Sequence, residues 1–236
     1  MTEPNAFSQT LAIFAPIHKD GYKFVAVAAA ATVLAFLLSS VLGLLAAFTT
    51  FALAFFFRDP ARIVPIGDGL IVAPADGVVI GIESLTPPAE LGLGSDPEMR
   101  VSIFLSILDV HVVRAPFSGN IVADSYKPGL HHNAASSAAV RENERHSFVI
   151  QAANSARLGL VLVAGTVARR IVANIKEGDG VMTGERIGII RFGSRVDVYL
   201  PASAEILVGQ GQRTIGGETV IADLSAREPI RTFRRV

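Results

Sequence analysis

Phe24 to Phe57 runs for 34 residues without a charge and is rich in Ala, Leu and Phe. Beyond it the chain changes to short runs in which apolar and polar positions alternate. The uninterrupted apolar block predicts a membrane-embedded helical segment. As one helix it would measure ~51 Å at ~1.5 Å per residue, well past a hydrocarbon core of ~30 Å. Ser39-Ser40 and Gly43 near its middle offer a turn. The block therefore predicts a helical hairpin over about 24–57, either two short spans or a re-entrant wedge. The alternative is one span of about 20 residues with the rest interfacial. The 23 mostly polar residues before it are unlike a signal peptide. Lys19 and Lys23 before the block, with Arg58 and Arg62 after it, favour both ends on the cytoplasmic side of the cell membrane. With no charge inside, the block reads as an anchor and not a transport path.

Arg58-Asp59-Pro60 closes the helical part, since Pro neither continues a helix nor leaves the preceding residue helical. From there the pattern changes to β: strands are predicted at Leu70–Val72, Val78–Ile82, the strongly apolar Val101–Ile107, Asn120–Tyr126, Ser147–Gln151, Leu158–Ala164 and Ile171–Ile175. If extended, Asp109 and His111 share one face and Val110 and Val112 the other. Lys127 to Arg145 is the least regular stretch, and Ala134–Ala139 within it reads as a short helical or flexible lid. Ile187, Ile189 and Ile190 lead into Arg191-Phe192-Gly193-Ser194, after which Val196, Val198 and Leu200 alternate with Arg195, Asp197 and Tyr199. That second half is a half-buried strand, and a Gly-Ser step inside such a run marks a bulge or a close backbone approach. Lys176–Gly188 and Val208–Val220 form a weak internal repeat of Gly-cornered turns. The fold class is mainly β (α+β): a flattened barrel or sandwich-like β domain over 61–236, preceded by an N-terminal region, 1–60, that carries the helical anchor.

Composition narrows the chemistry. Lys plus Arg and Asp plus Glu number 21 each, so charge gives no sign of a nucleic-acid partner. The absence of Cys excludes a disulfide framework, a thiol nucleophile and thiolate metal sites. The five His, at 18, 111, 131, 132 and 146, form no metal-binding pattern, and the adjacent His131 and His132 would point apart on a strand. Ser194, His111 and Asp76 are the candidates for a nucleophile, a base and an orienting acid. Each also has an ordinary structural reading: a strand Ser beside a bulge, a satisfied core His, a turn Asp in A-D-G. No G-x-S-x-G precedes a helix here, which argues against an α/β-hydrolase. Biotinyl and lipoyl carrier domains share the Gly-cornered hairpins, but the Lys they carry at a hairpin tip is missing. A non-catalytic, membrane-anchored β module of that style is the alternative reading.

Six motifs in order carry a resemblance: F-F-R-D-P-x-R (Phe56–Arg62), A-P-A-D-G (Ala73–Gly77), D-x-H-x-x-R-x-P (Asp109–Pro116), E-N-E-R (Glu142–Arg145), A-R-R-I (Ala168–Ile171) and the long run Lys176–Pro201. Together, over about 55–202, they resemble the phosphatidylserine decarboxylases, specifically their short, prokaryotic-type branch. The resemblance implies an inactive proenzyme that cuts itself between Gly193 and Ser194. Ser194 attacks the preceding carbonyl, and β-elimination then leaves a pyruvoyl group, the covalent cofactor, where Ser194 stood. Residues 1–193 and 194–236 would stay associated as a large and a small chain. The pyruvoyl carbonyl would form a Schiff base with phosphatidylserine in the membrane and act as an electron sink for loss of CO₂, giving phosphatidylethanolamine. The resemblance further assigns His111 to decarboxylation and Asp76 to self-cleavage. In the longer branch a second His stands three residues after the first; here that position is Arg114. His111 serving both steps, or His131, His132 or His146 substituting, are the alternatives, with Arg114 instead orienting a carboxylate or phosphate. A decarboxylase of a soluble amino acid is a further rival, against which the anchor argues. The sequence leaves a homo-oligomer open.

Overall fold

The computed structural model describes residues 15–130, 132, 142–153, 155–165, 170–191 and 194–225. Gly193, His131, Ala134–Ala139 and the arginines of the C-terminal tail lie outside these residues. The chain divides into two units, Met1–Ala61 and Arg62–Val236.

The first unit is a hairpin of α1 (Tyr22–Leu38) and α2 (Ser40–Phe56). One extended residue, Ser39 (φ −164°, ψ 138°), breaks the apolar run near the predicted turn. The helices then run antiparallel. Thr32 Oγ1 and Thr50 Oγ1 share a hydrogen bond of 2.9 Å between them, and Phe24 stacks on Phe57 at the open end with centroids 5.4 Å apart. Gly43 sits under Phe36: a Cβ there would lie 2.2 Å from the ring. Lys19–Leu38 is long and apolar enough to cross a membrane, and Ser40–Phe56 is a shorter apolar helix. Each 17-residue helix is ~26 Å long. Arg58 is buried. Its guanidinium lies 3.8 Å over the Phe55 ring, and Nη1 donates to the Phe55 carbonyl at 2.8 Å. It is thus packed into the hairpin end.

The second unit holds β1 (Leu70–Val72), β2 (Gly77–Leu85), β3 (Glu98–Leu105), β4 (Val112–Arg114), β5 (Gly119–Lys127), β6 (Arg145–Gln151), β7 (Arg157–Ala164), β8 (Arg170–Ala173), β9 (Gly180–Val181), β10 (Arg186–Arg191), β11 (Ser194–Leu200), β12 (Glu205–Ile206), β13 (Arg213–Thr214) and β14 (Val220–Asp223). The mainly β class is as expected. β3 ends at Leu105, short of the predicted Ile107, and Asp109 and His111 precede β4 in a turn instead of alternating along a strand.

Eight strands form one antiparallel sheet in the order β13-β2-β3-β11-β7-β6-β5-β9, and two three-stranded sheets are ordered β1-β14-β12 and β4-β10-β8. Read from both ends inward, the large sheet is symmetric: β13 matches β9, β2 matches β5, β3 matches β6 and β11 matches β7. The two small sheets match each other. The internal repeat is therefore real, and β4–β10 form one half inserted into the other between β3 and β11. The turns agree in detail. Gly178 and Gly211 have φ of 92° and 87°, and Gly184 and Gly217 have φ of 77° and 82°. These are left-handed conformations that glycine adopts without a Cβ clash. Lys176 N donates to Asp179 Oδ2 at 2.9 Å, as Gly209 N does to Gln212 Oε1 at 3.1 Å.

Period two sorts the large sheet into two apolar faces. Val196, Val198 and Leu200 join Leu160, Leu162 and Ile103 in the main core with residues of both small sheets. Tyr199, Val161 and Val163 pack on the other face with Leu91 and Val149.

The native chain has no Cys, so Thr32→Cys with Thr50→Cys gives a clean cross-linking pair in membranes. We expect efficient disulfide formation, and a severalfold loss when Gly43→Leu drives Phe36 out of its seat. Equal cross-linking with and without Gly43→Leu would contradict this packing.

Candidate active site

Ser194 opens β11 at the centre of the large sheet, paired with Leu105 of β3 and Ala164 of β7. Its side chain falls on the main-core face, alternating with Arg195. The residue is fully buried, and its hydroxyl has no hydrogen-bond partner among the described residues. This is also the seam of the fold. The chain leaves the sheet at Leu105, folds the inserted half and re-enters at Ser194. In the matching half the seam is a plain hairpin, with Gln151 opposite Arg157.

His111 is fully buried just before β4. Its carbonyl accepts from Ile190 N at 3.1 Å, which ties it to β10, the strand leading to the Gly-Ser step. Its Nδ1 lies 2.9 Å from the Asp109 carbonyl. A carbonyl only accepts, so Nδ1 carries the proton and Nε2 is the basic nitrogen of the neutral ring. The turn before it is closed by Asp109, whose Oδ2 accepts from Ser106 N at 2.8 Å and Ser106 Oγ at 2.7 Å. Arg213 Nη2 donates to the other carboxylate oxygen.

Asp76 sits in the turn between β1 and β2. Gly216 N donates to its Oδ1 at 2.8 Å, and Arg62 Nη2 reaches Oδ1 at 2.9 Å and Oδ2 at 2.8 Å. Burial pushes the carboxyl above its ordinary value; Arg62 and the Gly216 amide oppose that rise, and the nearby Asp109 charge adds to it. The matching turn of the other half holds Ser118, whose Oγ accepts from Thr183 N at 2.9 Å. The turn thus needs only a short polar acceptor. The second oxygen of Asp76 and its guanidinium partner exceed that structural need.

Arg62 is the functional candidate that sequence reasoning missed. By position it flanks the anchor, and in the fold it is engaged with Asp76. Arg114, at the second-His position, is buried. Its Nη1 donates to the Gly184 carbonyl within the inserted half at 2.9 Å, and its backbone N donates across to Pro74 O in the other half at 2.8 Å. His146 Nε2 lies 2.6 Å from Asp124 Oδ1, and His132 Nε2 lies 3.0 Å from Glu142 Oε2; both rings are engaged by carboxylates of β5 and the segment before β6. Asn143 and Glu144 brace the strand beside Ser194. Asn143 Nδ2 donates to Ala164 O at 2.7 Å, and Ala164 N donates to Glu144 O at 2.9 Å. A cavity of about 700 Å³ opens among Arg100, Lys127, Arg145, Arg195 and Tyr199. Arg195 and Tyr199 alternate with Ser194, so this cavity belongs to the opposite face of the sheet.

Residues 48–222 match the family model of phosphatidylserine decarboxylase. The chain is 50% identical over 217 residues to the "phosphatidylserine decarboxylase proenzyme" of Cereibacter sphaeroides, covering 92% of this chain and 94% of that one. It is 48% identical over 221 residues to the protein of the same name from Xanthobacter autotrophicus, covering 94% of each. For that of Ruegeria pomeroyi the figures are 50% over 209 residues, 89% of this chain and 95% of the other. The chain belongs to the phosphatidylserine decarboxylase family. Within that family's matched region lie Arg62, Asp76, His111, Arg114 and Ser194. The reading as a non-catalytic carrier-like module falls with this membership.

In a Ser194→Ala chain, Arg62→Ala removes the charge that opposes burial, so the Asp76 carboxyl should titrate at still higher pH. A ¹³C NMR titration of the Asp76 carboxyl checks the direction. A downward shift would mean that Arg62 does not govern this group.

Proposed function

We propose that Ser194 is the self-cleavage residue of this chain and the source of a pyruvoyl group, and that the processed chain decarboxylates phosphatidylserine to phosphatidylethanolamine. The observation that carries this reading is the Ser194 hydroxyl: buried at a seam of the sheet and without a hydrogen-bond partner among the described residues. A buried hydroxyl left unsatisfied costs about 1–3 kcal/mol, and native structures keep few of them without a reason. Attack of Oγ on the Gly193 carbonyl forms an ester as the Gly193–Ser194 C–N bond breaks. β-Elimination then releases the Gly193 carboxylate, and hydrolysis of the resulting dehydroalanine frees ammonia and leaves the pyruvoyl group. That group supplies a carbonyl for the substrate amine and an electron sink for the departing CO₂.

The surrounding residues support each task. Asp76, ionised, assists proton removal for self-cleavage, with Arg62 holding the carboxylate in place. His111, with its proton fixed on Nδ1, has a basic Nε2 for proton transfer at the substrate α-carbon. The sheet explains how two chains can remain one body. β11 lies between β3 and β7, and Val196, Val198, Tyr199 and Leu200 are fully buried. Each such side chain contributes roughly 1.5–3 kcal/mol by burial, so residues 194–236 stay seated after the cut. The apolar hairpin holds the enzyme at the membrane, its two ends on the cytoplasmic side. Lys19 and Lys23 favour that side.

Electrophoresis under denaturing conditions tests the core of the reading. The native chain should give two fragments split before Ser194, the smaller blocked to Edman sequencing. Ser194→Ala should give one intact chain with no activity. Asp76→Asn should slow cleavage by about 10²-fold or more. Because burial raises the Asp76 pKa, cleavage of the native proenzyme should slow as pH falls, and at higher pH than for an ordinary aspartate. His111→Gln should lower turnover of the cleaved enzyme. An intact native chain that decarboxylates phosphatidylserine would overturn the proposal.

A further inference from the structure

We propose that the Ile107–Leu108 turn is a docking tip that seats the Ser194 end of the large sheet on an anionic phospholipid surface. The inference rests on the reading of Ser194 as the reaction centre and adds how that centre meets a lipid. β3 ends at Leu105, the cross-strand partner of Ser194, and the turn follows at once. Asp109 N donates to Ser106 O at 2.9 Å, while Ser106 N and Oγ both donate to the Asp109 carboxylate. This ring of bonds fixes the turn and drives its two central side chains outward. Ile107 is 56% exposed and Leu108 is 68% exposed, although Leu105 and Val110 on either side are buried. Turn tips draw on Gly, Asn, Asp, Pro and Ser because those residues suit tight turns. Two adjacent aliphatic residues on a rigid exposed tip have no such local reason.

The charges at this end of the sheet specify the partner. Arg213, its side chain 65% exposed, holds the Asp109 carboxylate from the neighbouring β13. The register places Arg213 beside Val78, Val78 beside Phe104, Phe104 beside Arg195, Arg195 beside Val163, Val163 beside Arg145 and Arg145 beside Lys127. This transverse row lies one residue in from Ser194. It puts Arg213 and Lys127 at the same end of the sheet as the reactive Ser. Leu130, also 56% exposed, follows β5 at that end. Aliphatic tips that share one end of the sheet with exposed basic side chains fit a bilayer that offers hydrocarbon below an anionic headgroup layer. Seating is transmitted directly to the site, because the Asp109 carbonyl that ends the turn accepts from His111 Nδ1. The tip therefore orients the site toward headgroups, a task that a tether alone does not perform.

The chain contains no Trp, so Leu108→Trp provides a single reporter. In a Ser194→Ala background this variant should show a blue-shifted emission on phosphatidylcholine vesicles containing phosphatidylserine, with quenching by brominated acyl chains. Unchanged emission would overturn the proposal, whatever the fate of the Ser194 reading. Emission already buried without vesicles, together with a dimer in sedimentation, would overturn it in favour of a second copy of the chain. In cleavable enzyme, Ile107→Ser with Leu108→Ser should lower kcat/KM on vesicle phosphatidylserine by roughly tenfold or more. Self-cleavage and turnover of a short-chain, monomeric phosphatidylserine should stay unchanged. Equal loss on both substrates would mean a distorted site and would overturn the docking role.

Discussion

The packing of β11 between β3 and β7 is the constraint on which the rest depends. It holds Ser194 at the centre of an eight-stranded sheet with its hydroxyl turned into the main core. A reactive hydroxyl in water would be surrounded by competing donors and acceptors. Here the strand neighbours occupy both flanks, and the described surroundings give Oγ no partner. The same pairing that withholds a partner also fixes the residue, since β11 is buried along its whole length. Strain or desolvation at one atom is tolerable only where the surrounding structure is over-determined. The centre of the largest sheet satisfies that condition.

The nested halves explain why the seam lies there. One half is continuous, β4 to β10, and its β6–β7 connection is an ordinary hairpin. The other is interrupted after β3 and resumes at β11. A duplicated architecture thus offers two equivalent hairpin positions, one closed locally and one closed only through the inserted half. The Asp76 and Ser118 turns make the same comparison at the level of single groups. Both accept one backbone N–H from the facing Gly-cornered turn. A neutral hydroxyl suffices for that bond. A buried carboxylate adds a charge that must be compensated, and Arg62 supplies the compensation from the start of the second unit.

Much of this was legible in the chain because the signals were local. Period two marked β11, short apolar runs between turn residues marked β2, β5 and β7, and an uncharged run broken by Ser39-Ser40 gave a helical hairpin. The two-residue strands β9, β12 and β13 carry too few positions for any period to appear. The nesting was hidden because strand order depends on pairings across the whole chain. A signal for it was present in Ala73-Pro74-Ala75-Asp76-Gly77 and Ala115-Pro116-Phe117-Ser118-Gly119, which begin matching strands. Arg62 is not legible as a partner of Asp76, because a charge beside an apolar block announces only its position. Its partner, Asp76, comes from the next turn, and nothing in the spacing announces a contact. Arg114 shows the same limit: its place in a motif says nothing of the Gly184 carbonyl that its guanidinium meets.

The anchor and the sheet end solve different parts of one physical problem. A phospholipid headgroup is reached only at an interface, so an enzyme acting on it needs proximity and orientation. Proximity comes from apolar length. Two helices of ~26 Å each, uncharged from Phe24 onward, partition into hydrocarbon. Effective concentration at the surface then rises without any contact to the reacting group. Orientation needs a rigid feature in the unit that holds Ser194, and helices in Met1–Ala61 do not supply one there. The Ser106–Asp109 bonds provide that rigidity, and they do so with the same aspartate whose carbonyl sets the His111 tautomer. A turn that served only to reverse the chain would have no need to expose Ile107 and Leu108. Its aliphatic tip is accounted for when the surface it meets is the one that carries the substrate.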